Sequence, residues 1–121
     1  MSAGTGIMHA EFNNSLTEEA KLFQIWIFPR AKNLKPRYDQ RSFDQSNSKG
    51  QFLELVVPDT IQTNDTLYIQ QDAYISIIDA QPETSYDYAV KREGNGTFVM
   101  AVKGTTKIGE FTLKQGDAVA I

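Results

Sequence analysis

The chain has 121 residues, 40% of them hydrophobic and 11% aromatic, which is typical of one globular domain and excludes a disordered chain. A formal net charge of −3 gives no electrostatic reason to expect a nucleic-acid partner, and the absence of cysteine excludes disulfides, thiolate metal sites and a cysteine nucleophile. The apolar runs are too short to span a membrane and the N-terminus lacks the features of a signal peptide, so we expect a cytoplasmic protein with no membrane partner.

The first predicted element is a strand at residues 22–28 (LFQIWIF). This nearly continuous apolar run ends at Pro29 and is typical of a strand buried on both faces, with Trp26 in the core. A polar connector follows, and the next strand is residues 51–57 (QFLELVV), which Pro58 stops. Residues 67–78 (LYIQQDAYISII) alternate well enough to form two strands or one bent strand.

The remaining elements are also strands. Residues 97–103 (TFVMAVK) lead into Gly104, residues 105–113 (TTKIGEFTL) predict a hairpin around Gly109, and KQGDAVAI predicts a Gly-Asp turn and a last strand. Since no segment carries a convincing helical stripe, many short strands separated by Gly and Pro turns predict an all-β sandwich or barrel.

His9 is the only histidine of the chain, and it stands two residues before Glu11. In an extended strand residues i and i+2 share a face, so the two side chains would project together. Imidazole beside carboxylate is typical of a transition-metal site, but such a site needs three or four ligands. The simpler interpretation is a hydrogen-bonded or solvent-facing polar pair.

Tyr86 and Tyr88 have the same i, i+2 relation, and their simpler interpretation is a half-buried strand face with hydroxyl groups at its rim.

A basic patch, Lys35, Arg37 and Arg41, lies in the predicted connector. Because acidic residues interleave with this patch, we interpret it as a solvated connector rather than as a binding site.

Five stretches of the sequence together resemble the pirin family of bicupins: MSAGTGIMHAEFN, FQIWI, KPRYDQRSF, LYIQQDAYI and AVKGTTKIGEFTLKQGDAVAI. The resemblance implies two jelly-roll barrels, with one metal ion, usually iron, in the first. Its ligands in the family are an HxH pair on an earlier strand and the histidine and glutamate of a motif that matches His9 and Glu11. Some family members oxidise flavonols such as quercetin, and a eukaryotic branch is linked to transcription regulation.

The sequence departs from the family pattern in ways that bear on the expected fold. No HxH strand is present, the chain begins inside the final motif of the first cupin, and it stops before the last strands of the second. We therefore expect residues 1–28 to resemble the final strands of the first cupin, 29–40 to be a connector and 41–121 to be a partial second cupin, together forming one cupin-like jelly-roll barrel. We further expect the N-terminal segment to be exchanged between the chains of a homodimer.

Two functions follow from this expected barrel. Tyr86 and Tyr88 would come where the HxH pair of a metal-binding cupin lies, facing His9 and Glu11, so the four residues predict a pocket for a small polar or aromatic ligand. The first hypothesis is a non-enzymatic module that binds a small molecule or a protein, with no catalytic residue, no metal ligand and no cofactor. The alternative is a residual metal-dependent oxygenase of the quercetin dioxygenase type, with iron or another divalent metal.

Overall fold

Seven short β-strands carry the regular structure in this computed structural model, which describes residues 1–61 and 63–121. A 3₁₀ helix spans Gln45–Ser48, and no α-helix occurs in the described residues, so the predicted all-β class is confirmed. Residues 1–86 and 87–121 form two compact units, which are described separately. The strands are β1 (Leu53–Pro58), β2 (Leu67–Ile69), β3 (Ile75–Ile77), β4 (Phe98–Met100), β5 (Thr105–Ile108), β6 (Phe111–Lys114) and β7 (Ala118–Ala120).

The first unit is built on a three-stranded sheet in which β1 is central. Strand β1 pairs in parallel with β2 and antiparallel with β3, and its register with β3 shifts between Glu54 and Val56. The sequence LELVVP favours this central position because it is rich in branched apolar residues. Val57 is only 1% exposed and marks the core of the sheet.

The N-terminus lies against residues 34–37 of the same unit. Ser2 and Arg37 form an antiparallel bridge in which each backbone N–H donates to the carbonyl of the other residue, at 2.7 and 3.0 Å. The N–H of Thr5 donates to the carbonyl of Leu34 at 3.1 Å. Gly4, between these contacts, has a φ of +53°, and a Cβ atom there would lie 2.1 Å from the carbonyl oxygen of Leu34. Only glycine allows the two backbones to approach this closely.

The second unit consists of two antiparallel pairs, β5 with β6 and β4 with β7. The β5–β6 pair is a hairpin in which Ile108 faces Phe111, so two residues form the turn. Gly109, the first of these, has a φ of +56°, the sign that a type II′ turn requires at this position. Ala101 and Leu113 are the buried hydrophobic residues of this unit among those described.

Most of the predicted strands are confirmed. Residues 51–57 correspond to β1, residues 67–78 form two strands rather than one bent strand, and residues 97–103 contain β4. The hairpin around Gly109 and the last strand are also present. The local alternation and turn residues of these stretches agree with the pairing that the sheets provide.

The prediction of a buried strand at residues 22–28, the apolar segment, is wrong for this chain. The segment has no strand assignment, and Trp26, which was predicted to lie in the core, is 87% exposed. The reason is the lack of a neighbouring backbone: among the described residues, the N–H groups of residues 19–28 donate to no other residue. A strand needs such a neighbour and side chains that cover it.

Residues 1–28 and 29–40 both belong to the first unit. The division into an N-terminal segment, a connector and a partial second cupin stays a prediction, as does the exchange of strands between chains. Within the described ranges, no helix has the length and apolar character that a membrane crossing requires.

Candidate functional site

His9 and Glu11 come together in the structure as an exposed pair. Nε2 of His9 lies 3.8 Å from Oε1 of Glu11, and the side chains are 37% and 53% exposed. Both residues lie in a stretch without regular secondary structure, at residues 5–15. In this exposed setting the pair can offer one imidazole and one carboxylate to a ligand.

Tyr86 is half-buried, and its hydroxyl group is part of the first unit's own hydrogen bonding. The N–H of Gln81 donates to Oη of Tyr86 at 3.1 Å, and a Cβ atom on Gly50 would lie 3.6 Å from the same oxygen. The hydroxyl therefore holds the loop after β3 against the chain before β1. No hydrogen bond joins Tyr86 to His9 or Glu11 in the described part of the chain.

Tyr88 belongs to the second unit and is also half-buried. That His9, Glu11, Tyr86 and Tyr88 line one pocket stays a prediction.

The donor set around His9 does not by itself fit a transition metal. Iron and zinc sites in proteins use three or four protein ligands. Among the residues that the structure describes, no group of three or more His, Asp or Glu side chains is arranged to hold a metal ion. His9 and Glu11 supply two donors, which is fewer than such a site requires.

A cleft of about 350 Å³ in the first unit is a stronger candidate for a ligand site. Its lining residues are Lys35, Pro36, Arg37 and Gln70. The guanidinium group of Arg37 lies over the ring of Tyr68, 3.6 Å from the ring centroid, and donates to Oδ2 of Asp39 at 2.5 Å. Ring stacking and a carboxylate partner hold this cation in one orientation.

Gln70, one of the residues that line the cleft, has a buried side-chain acceptor. Its Oε1 atom is buried and has no hydrogen-bond partner. A buried polar atom without a hydrogen-bond partner costs free energy. The residues that line the cleft therefore include two cationic side chains and a glutamine whose carbonyl oxygen has no hydrogen-bond partner.

The sequence interpretation missed this cleft. The sequence predicts a solvated connector at Lys35 and Arg37 and indicates no site at Gln70. A local signal was available, because Tyr68 and Gln70 stand at i and i+2 and so share a face of β2 and its continuation. A tertiary contact joins this face to the connector, because Nη1 of Arg37 donates to the carbonyl of Tyr68 at 3.4 Å.

Comparison with known proteins assigns the family. The profile of the quercetinase C-terminal cupin domain matches residues 55–121. The quercetin 2,3-dioxygenase of Escherichia coli K12 is 33% identical over 121 residues, which cover 100% of this chain and 50% of that protein. A pirin-like protein of Caulobacter vibrioides is 30% identical over 121 residues, 100% of this chain and 51% of that protein.

The chain thus spans about half the length of the curated relatives that it matches. No solved structure gave a significant match. The all-β fold is that of a cupin, as the sequence resemblance implied. This chain belongs to the pirin-like cupin family.

Proposed function

We propose that this chain is a pirin-like cupin that binds a small polar or aromatic molecule without converting it. The observation that carries the proposal is the cleft itself, where Lys35 and Arg37 meet Gln70, a residue whose buried Oε1 atom has no hydrogen-bond partner. Ligand sites in proteins combine a concave surface with a few polar groups of fixed direction, and this open cleft has one such group, the guanidinium of Arg37 held by Tyr68 and Asp39.

The side chains of the cleft indicate the class of ligand. Lys35 and Arg37 favour a ligand with an ionised oxygen, such as a carboxylate or a phenolate. Oε1 of Gln70 favours a hydroxyl group that donates to it. A hydroxylated aromatic acid carries both groups, and 3,4-dihydroxybenzoate is a suitable probe.

Calorimetric titration with this probe tests the proposal. We expect binding of 3,4-dihydroxybenzoate and at least tenfold weaker binding of benzoate, which lacks the hydroxyl groups. Gln70→Leu should weaken binding of the hydroxylated probe about tenfold, because the hydrogen bond to Oε1 is lost. Gln115→Leu, an exposed glutamine in the second unit, is the matched control and should leave binding unchanged. No binding at millimolar probe, or equal binding by the Gln70→Leu variant, would contradict the proposal.

His9, Glu11, Tyr86 and Tyr88 are a second candidate site for the same class of ligand. The same titration separates the two sites, because His9→Ala and Tyr86→Phe alter one set and Gln70→Leu the other. We expect the cleft variant to have the larger effect. If His9→Ala and Tyr86→Phe abolish binding and Gln70→Leu does not, the ligand binds at the second site.

A metal-dependent oxygenase is the second candidate function, and the names of relatives such as the E. coli quercetin 2,3-dioxygenase favour it. The donor count argues for simple binding, since His9 and Glu11 provide two ligands among the described residues. Elemental analysis after loading with ferrous iron and oxygen uptake with quercetin distinguish the two functions. We expect far less than one iron per chain and no oxygen uptake. One tightly bound iron per chain, lost in His9→Ala, would support the oxygenase.

A further inference from the structure

The stretch at residues 34–37 supplies three of the four residues that line the cleft. In the described structure, every backbone–backbone hydrogen bond of this stretch goes to residue 2 or residue 5. Ser2 and Arg37 exchange two N–H to carbonyl hydrogen bonds, at 2.7 and 3.0 Å, and the N–H of Thr5 donates to the carbonyl of Leu34 at 3.1 Å. These bonds lie at the two ends of the stretch, so they fix the backbone that carries the cleft side chains.

The N-terminal turn, residues 2–6, has the shape that this contact requires. The N–H of Gly6 donates to the carbonyl of Ala3 at 2.8 Å and closes the turn. Gly4 has a φ of +53°, and a Cβ atom there would lie 2.8 Å from the backbone nitrogen of Pro36. Only a residue without a side chain lets the turn approach the backbone of the cleft this closely.

The N-terminal turn is attached weakly. Residues 3–6 are exposed and Ser2 is half-buried. A segment that buries little apolar surface opens locally at a low free energy, so a ligand can shift the balance between its docked and open forms. With the turn open, the hydrogen bonds left to residues 34–37 in the described structure are those of the Arg37 side chain, to the carbonyl of Tyr68 and to Asp39.

We propose that the N-terminal turn positions the ligand cleft, with Gly4 as the residue that allows it to dock. This inference rests on the proposed function, since it concerns the same cleft. The docked turn fixes the backbone from which Lys35 and Arg37 reach the ligand, and the open turn leaves that backbone without its hydrogen bonds. Because the ligand binds the docked form more tightly, ligand binding and docking of the turn stabilise each other.

Calorimetric titration with 3,4-dihydroxybenzoate measures the effect of the turn on binding. Gly4→Ala should weaken binding about fivefold or more, because the new Cβ atom forces the turn away from the cleft backbone. Gly6→Ala is the matched control and should bind as the natural chain does, since its φ is also positive but nothing lies within 4 Å. Ser2→Pro removes the N–H that donates to the carbonyl of Arg37 and should weaken binding in the same direction.

Amide exchange measured by NMR on the natural chain shows the effect of binding on the turn. With the probe at about ten times its dissociation constant, the Thr5 amide should exchange at least threefold more slowly, because the open form does not bind. Thr5 does not line the cleft, so direct contact with the ligand does not explain such slowing. The amides of the β5–β6 hairpin are the internal control and should be unchanged.

A further variant separates positioning from a general loss of stability. In a Lys35→Gln background, the fold-change in binding caused by Gly4→Ala should be at most half of that in the natural chain. The reason is that one of the two cations that the turn positions is absent. A general loss of stability would leave the fold-change the same in both backgrounds.

The outcomes distinguish this inference from the proposed function. If the natural chain binds the probe and both Gly4→Ala and Ser2→Pro bind it equally well, the turn does not position the cleft and the proposed function stands. An unchanged exchange rate at Thr5 in the presence of the probe has the same meaning. If the natural chain does not bind the probe, the proposed function fails and the positioning role fails with it.

Discussion

Arg30 and Asp59 join the end of the apolar segment to the end of β1. Nη2 of Arg30 donates to Oδ1 of Asp59, and Nη1 lies 3.8 Å from Oδ1 of Asp72. The hydrogen bond to Asp59 raises the pKa of Arg30, which stays protonated in the physiological range. The ion pair and the backbone bond from Arg30 to Gln70 hold residues 28–30 on the first unit.

Loss of this ion pair should loosen the segment end rather than unfold the protein. We expect Arg30→Ala to raise the hydrogen-exchange rate of the residue 30 amide at least threefold, because residue 30 is then held on the unit only by its backbone hydrogen bond to the carbonyl of Gln70. The exchange rate in Arg30→Lys should lie between the rates in the natural chain and in Arg30→Ala, since an ammonium group cannot bridge both carboxylates as the guanidinium group does. Amide exchange measured by NMR checks this. Equal rates in all three proteins would show that the ion pair does not hold the segment.

Gly4→Ala should detach the N-terminus from residues 34–37. The new Cβ atom would lie 2.1 Å from the carbonyl oxygen of Leu34, so the backbones must separate and the Ser2–Arg37 bridge must break. Gly6→Ala is the control, because its φ is also positive but nothing lies within 4 Å. Gly6→Ala should lower the free energy of unfolding only through backbone strain, by about 1–2 kcal/mol. Faster amide exchange at Thr5 and Arg37 in the Gly4 variant alone is the expected result.

Val57→Ala should lower the free energy of unfolding by about 2 kcal/mol, because it leaves a cavity at the buried centre of β1. Val56→Ala is the matched control. Val56 has the same side chain on the opposite face of β1 and is only half-buried. Its replacement should therefore lower the free energy of unfolding by less. Urea denaturation of the three proteins measures both effects. A larger loss for Val56 would mean that the core lies on the other face of β1.

Asp44 should make stability depend on pH in the acid range. The backbone N–H of Ser46 donates to Oδ1 of Asp44 at 2.9 Å and lowers the pKa of this carboxyl group, which caps the 3₁₀ helix. A lowered folded-state pKa stabilises the fold above the unfolded value of about 3.9, and this contribution is lost as the pH falls through the folded value.

Asp44→Asn keeps a side-chain acceptor but does not ionise. The urea midpoint of the natural chain should therefore exceed that of the variant at pH 6 and approach it near pH 2. A constant difference between the two proteins over this range would rule out a contribution from the ionisation of Asp44.

The sequence alone predicted the elements whose partners are close along the chain. The β5–β6 hairpin needs only Gly109 at its turn and alternating residues on either side, and both are local features. For residues 67–78 the sequence left two strands or one bent strand open, and the structure has two strands because each pairs with a different edge of β1. The family resemblance predicted the cupin fold, and the family match supports it. This resemblance depended on whole stretches of sequence rather than on single residues.

The sites depended on contacts that local patterns do not encode. His9 and Glu11 were found from their spacing, and they do lie 3.8 Å apart. The cleft at Gln70 was missed, because Gln70 meets Lys35 and Arg37 only after the connector folds back onto β2.

The apolar segment shows most clearly what the sequence determines and what the tertiary structure decides. Its composition determined that residues 22–28 are apolar on both faces, and this is a local property. Whether such a run becomes a buried strand depends on a second backbone at hydrogen-bond distance and on side chains that cover it. Among the described residues the tertiary structure supplies neither to Trp26, which stays 87% exposed, because the hydrogen bonds that hold the segment lie at its end, at Phe28, and at the following Arg30.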